Sequence, residues 1–177
     1  SNRKGGIETG TIYDGRLELY VDADLEKSLG LSGLSFHAHG YQIHGQGVTV
    51  AKVGNFNALS GIEATATTRL LDIWLEQKLF GDKLSIRAGQ MAVDTEFILA
   101  DSAAQFISAS FGWPTITASN LPNGGSAYPL AAPGVRVEWK PTDQLGFRIA
   151  VFNDDPAGPC NIDPQFCNPH GLEFRTQ

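Results

Sequence analysis

Apolar and polar residues alternate with period two over much of this chain, most clearly in RLLDIWLEQKLFGDKLSIRAGQM at positions 69–91. Leu71, Ile73 and Leu75 point one way, and Asp72, Trp74, Glu76 and Lys78 the other. After Phe80-Gly81-Asp82 the pattern resumes, with Leu84, Ile86 and Ala88 against Lys83, Ser85 and Arg87. Period two marks a strand with one apolar and one wet face. Leu, Glu, Gln and Lys favour helix, but helical spacing would bring Asp72 and Glu76 to the side of Leu75 and Leu79. The stretch therefore predicts a β-hairpin.

Positions 13–25 carry the same signal: Leu17, Leu19, Val21, Ala23 and Leu25 oppose Arg16, Glu18, Tyr20, Asp22 and Asp24. A Gly/Ser turn at 28–33 leads to a strand from Leu34, with Phe36 and Ala38 opposite Ser35, His37 and His39. Gly40 predicts a bulge or kink in it, and the pattern weakens toward Ile43. A second hairpin sets Val135, Val137 and Trp139 against Arg136, Glu138 and Lys140. It turns at Pro141-Thr142-Asp143-Gln144 and returns through Leu145, Phe147, Ile149 and Val151. A further strand is expected over 171–175, making about seven in all. Within the irregular stretch after Met91, positions 102–108 suit a short helix.

The connections alternate in length. They are short near 30, 81 and 142, and long over 45–66, 92–133 and 153–170. Up-and-down antiparallel strands with short turns on one rim and long loops on the other build transmembrane β-barrels. Phe36, Phe80, Trp139 and Phe147, near the short turns, would suit an interfacial girdle. A carbohydrate-binding β-sandwich, soluble or at the cell surface, shows the same alternation because its inner faces meet. The uncharged faces and the loop alternation favour the barrel.

Composition agrees with an all-β chain rich in turns: 20 of the 177 residues are glycine, and charged residues make up 18%. A net charge of −6 argues against nucleic acid as a partner. No apolar run approaches the roughly 18–20 residues of a spanning helix. No signal peptide is read in the sequence, so for an exported protein that segment is expected to have been removed already or the chain to be an excerpt. Cys160 and Cys167 share a loop rich in Pro, Asn and Asp; a short disulfide there would fit an oxidising compartment.

The runs RLLDIWLEQKLFGDKLSIRAGQMAVDTEF, FGWPTITASNLPNGGSAYPLAAPGVRVEW and AVFNDDPAGP closely resemble the carbohydrate-selective outer-membrane porins of the OprB type. The start, YDGRLELYVDADLEK, and the end, NPHGLEFR, are similar too, whereas the CNIDPQFC insert stands outside the pattern. The resemblance implies a bacterial outer-membrane barrel of about sixteen strands, wide enough for an aqueous channel, that passes sugars such as glucose by facilitated diffusion. About seven strands, an odd number, do not close a single-chain barrel, so the chain is expected to be an N-terminal part of one. Carbohydrate solutes and outer-membrane lipids are the implied partners of a monomer or homo-oligomer.

With the apolar face toward lipid, the charged face lines water. Arg87 and Glu76 are the leading constriction candidates, with Asp72, Trp74, Arg136, Glu138 and Arg148 around them. The 92–133 loop would fold inward, bringing Asp94, Glu96, Asp101 and Trp113. Mixed charge suits neutral hydroxylated solutes. The same Arg and Glu residues could instead only satisfy one another and stiffen the wall, Trp74 could be a wall aromatic, and Trp113 could be a packing anchor. A porin-like scaffold sealed by the loop is a further reading. Asp/Glu pairs on an open wall lack the desolvation that arms a catalytic acid, so no enzyme is expected. No cofactor or metal is assigned: His37 and His39 share a face but have no third ligand in view. Asp154, Asp155 and Asp163 could take calcium but lack EF-hand spacing.

Overall fold

The computed structural model describes residues 1–113 and 115–174, without the side chains of Thr115 and Ile116. Period-two segments become one antiparallel sheet of six strands in chain order. These are β1 (Asp14–Asp24), β2 (Leu34–Gly45), β3 (Thr68–Leu79), β4 (Leu84–Met91), β5 (Ala132–Thr142) and β6 (Leu145–Phe152). The expected strand at 171–175 does not form over 171–174; Arg175 lies outside the described residues, as does Pro114 of the FGWP run. Positions 102–108 contain only a single 3-10 turn, Ala103–Gln105.

Short connections share one rim. Between β1 and β2 the chain makes a one-turn helix, α1 (Leu25–Leu29), which Asp24 caps by accepting from the Lys27 amide at 3.0 Å. Between β3 and β4, Phe80, Gly81 and Asp82 all take positive φ. The other rim carries the long 46–67 and 92–131 connections and the chain beyond β6.

No second sheet covers the apolar side among the described residues. Leu17 (64%), Leu19 (74%), Ile149 (70%) and Val151 (75%) remain exposed there. Burying such side chains is worth about 1.5–3 kcal/mol each, a large loss if this face met water. The sandwich is therefore set aside, and the face suits hydrocarbon. Trp139 and Phe147 stack at 5.6 Å near the short-turn rim.

Gly40 does mark an irregularity, and the extra residue lies on its partner strand. His39 pairs with Asp72 and Gly40 with Leu70, leaving Leu71 unpaired. A Cβ on Gly40 would stand 3.0 Å from the Arg69 carbonyl oxygen, so the backbones approach closely there. The extra residue shifts the phase of alternation. Leu71, expected outside beside Ile73 and Leu75, turns inward instead and is 0% exposed. It packs with Tyr41, Ile43, Ala92 and Ala131, joined by Ala64 and Tyr128. This cluster seats the long loops on the inner wall.

The two faces should respond differently to substitution. Val135→Arg should destabilise the barrel in lipid vesicles by about 2–4 kcal/mol if it lies near the bilayer midplane. Leu71→Ala should cost about 2–5 kcal/mol through the cavity it leaves. Denaturant unfolding in vesicles measures both; a neutral Val135→Arg would contradict a lipid-facing β5.

Candidate functional site

Antiparallel register brings the inward positions of β3 to β6 side by side. Glu76 faces Arg87, Arg87 faces Arg136, and Ser85 faces Glu138, which faces Arg148. Two arginines directly opposite repel unless carboxylates bridge them. Glu76 supplies one bridge: it accepts from Arg136 at 2.8 Å, Ser85 at 3.0 Å and Arg87 at 3.4 Å.

The second bridge comes from the loop. Glu96 follows the 3-10 turn Val93–Thr95 and reaches down to the wall. Its carboxylate accepts from Arg136 Nε at 3.0 Å and from Arg87, while Arg148 donates to its main-chain oxygen. Arg148 also pairs with Glu138 at 2.7 Å, and Lys140 meets Glu138 at 3.2 Å. These groups line an inner groove of about 820 Å³.

Burial divides the network. The Arg136 and Glu96 side chains are each 3% exposed, where losing one partner of an ion pair costs about 3–5 kcal/mol. Arg148 retains 33% exposure and Glu138 15%; partly hydrated pairs are worth only about 0–1 kcal/mol. Arg136 and Glu96 therefore hold the loop to the wall. The Arg148–Glu138 edge stays partly hydrated.

Of the remaining sequence candidates, Trp74 adjoins the network. The Arg87 guanidinium lies 3.6 Å from its ring centre, and the His37 ring stacks on it at 4.7 Å. Held between β2 and β4 neighbours, Trp74 is part of the wall. Asp72 accepts from the Ala92 amide at 2.9 Å where the loop leaves β4. Asp94 sits apart from the groove; both its oxygens lie 3.2 Å from the Tyr128 amide. Burial pushes its carboxyl up to about 6, against the opposing pull of that amide. Trp113 lines loop hollows with Ala109 and Tyr128, away from the Arg/Glu groove.

The loop anchors were not foreseen. Tyr128 donates to the Ile62 carbonyl at 2.9 Å, tying the two long loops together. Glu63 gathers the 46–67 loop by accepting from the amides of Thr49 and Ser60 and from the Thr49 hydroxyl. Arg69 donates to the Pro129 and Gln165 carbonyls, and Gln90 to those of Leu71 and Gly171. A buried Arg and Gln at strand ends hint at such roles, but their partners are up to 96 positions away. Asp155 accepts from Asn123 and the Ala157 and Gly158 amides, and Asp163 caps the turn Pro164–Cys167. No metal-ligand cluster forms around them among the described residues. Cys160 and Cys167 are joined by a disulfide.

A family model described as carbohydrate-selective porin, OprB family, matches residues 8–177. Among solved structures, the high-pH structure of Pseudomonas putida OprB is similar with a TM-score of 0.79 at 19% identity. The match covers 98% of this chain and 41% of that one. The chain thus spans about two-fifths of that relative's length, and at such identity the likeness concerns the fold. No curated protein matches the sequence.

Asp94 gives the loop a defined pH response. A raised carboxyl favours the folded state fully below its ordinary 3.8, and the benefit is lost as pH rises through about 6. Asp94→Asn should therefore gain stability relative to the unsubstituted protein as pH climbs through that window. Unfolding midpoints taken across it check this, and a pH-independent difference would contradict the burial of Asp94.

Proposed function

The chain belongs to the carbohydrate-selective porins of the OprB family, proteins of the bacterial outer membrane, and we propose that its inner groove guides neutral sugars such as glucose through a water-filled barrel. The observation that carries this reading is the mixed-charge network on the wall. Arg87, Arg136, Arg148 and Lys140 meet three glutamates, Glu76, Glu96 and Glu138. A sugar hydroxyl both donates and accepts, so it can exchange with either member of a partly hydrated pair. A wall of one sign would select ions instead. Porins are channels rather than enzymes, and solute passage here needs no chemical step.

Among the described residues the six strands leave β1 and β6 as sheet edges. In hydrocarbon every edge amide needs a partner, so the working channel includes further strands beside both. Loop 92–131, docked through Glu96, narrows the bore on the side this chain supplies. The sealed-scaffold reading differs only in whether the remaining gap passes solute.

Liposomes carrying the intact porin should swell faster in glucose than in a charged solute of similar size. Arg87→Ala or Arg148→Ala should slow glucose entry or alter selectivity, because each removes groove donors. Glu96→Gln should raise single-channel conductance by loosening the loop. Absence of swelling with properly inserted protein would leave the sealed scaffold standing.

A further inference from the structure

Beside the arginine groove, β2 and β3 bring together a set of side chains outside the Arg/Glu network. His37 and His39 lie two apart on the inward face of β2, and the register places Asp72 of β3 opposite His39. One ligand atom from each of the three falls within 4.8 Å of the others. Ligands on one ion, at about 2.0–2.2 Å from it, stand roughly 3.4 Å apart, so modest rotation of the imidazoles closes the site. We propose that His37, His39 and Asp72 bind a divalent transition-metal ion of the zinc type on the channel wall.

The surroundings fit a ligand set. His37 Nδ1 lies 2.6 Å from Asp22 Oδ1. A carboxylate on one ring nitrogen orients the imidazole and leaves the other nitrogen's lone pair for a metal. His39 Nε2 is buried and has no hydrogen-bond partner among the described residues; its nearest carboxylate, on Glu18, is 3.6 Å away. Asp72 uses Oδ1 for the Ala92 amide, leaving its second oxygen to ligate. Glu18 and Asp22 add negative charge around the site, while Arg16 of β1 and Arg87 of β4, stacked on Trp74, oppose it. Both imidazoles retain 16% exposure, so the cluster borders the water side, although Asp72 itself is buried. Two imidazoles with one carboxylate favour zinc, copper or nickel over calcium or magnesium.

The test uses tag-free intact porin in detergent, stripped with chelator. Calorimetric titration with Zn²⁺ should show one saturable site per chain, and Co²⁺ should develop visible d–d absorption typical of nitrogen ligation. His39→Gln and Asp72→Asn should abolish the site, and Asp22→Asn should weaken it by about 10–100-fold. His44→Gln, whose ring contacts Tyr13 and Gln42 instead, should leave it intact. The absence of saturable Zn²⁺ binding and of the Co²⁺ spectrum in the unsubstituted protein would overturn the proposal, whatever the variants do. Binding that survives His39→Gln and Asp72→Asn, or that Ca²⁺ matches, would overturn it too.

Discussion

A wall one strand thick between two solvents leaves each residue only two choices. Its backbone must pair with neighbouring strands, because hydrocarbon offers no hydrogen bonds, and its side chain must suit lipid or water. The six strands meet that condition through alternation: Leu75, Ile86, Val135 and Ile149 on one side, Glu76, Arg87, Arg136 and Arg148 on the other. A one-residue slip in β4, β5 or β6 would move a guanidinium into hydrocarbon, and one in β2 would move His37 and His39 there. Register is therefore held by a penalty of several kcal/mol at many positions at once.

Two local departures turn this plain wall into a shaped passage. The bulge opposite Gly40 sends Leu71 inward, giving the long loops an apolar seat with Tyr41 and Ile43. Beyond that seat, Glu96 joins Glu76 in bridging Arg87 and Arg136, which face each other across adjacent strands. Loop docking and wall electrostatics are thus coupled, since the carboxylate that anchors the loop also helps make the arginine pair tolerable. What remains partly hydrated is the Arg148–Glu138 edge, the place where the proposed sugar path would meet the network.

Much of the framework was legible because period two is a strong signal and the short turns carry Gly, Pro and Asp. The central hairpin, the second hairpin and the alternation of rims all follow from it. The outward assignment of Leu71 failed for a specific reason: Gly40 announced a bulge, but only the partner strand's register decides where the extra residue sits. Glu76, Arg87, Arg136 and Glu138 were grouped by face alone and Glu96 by loop membership; the structure shows that Glu96 and Ser85 join the wall groups to one another. Asp94 and Trp113, grouped with the groove by loop membership, went elsewhere because loop geometry depends on Tyr128 and other distant contacts. The link between His39 and Asp72 was hidden for the same reason, since residues 33 positions apart meet only through strand pairing.

The most direct measurement is residue-by-residue accessibility along β5 in a bilayer, using single spin labels at successive positions from Ala132 to Thr142. Collision with dissolved oxygen reports lipid, and collision with a water-soluble nickel chelate reports the aqueous side. The labels at Val135, Val137 and Trp139 should favour oxygen, and those at Arg136 and Glu138 should favour the chelate, in strict period two. Uniform access to the chelate, or protection from both probes at the apolar positions, would contradict a wall between lipid and water.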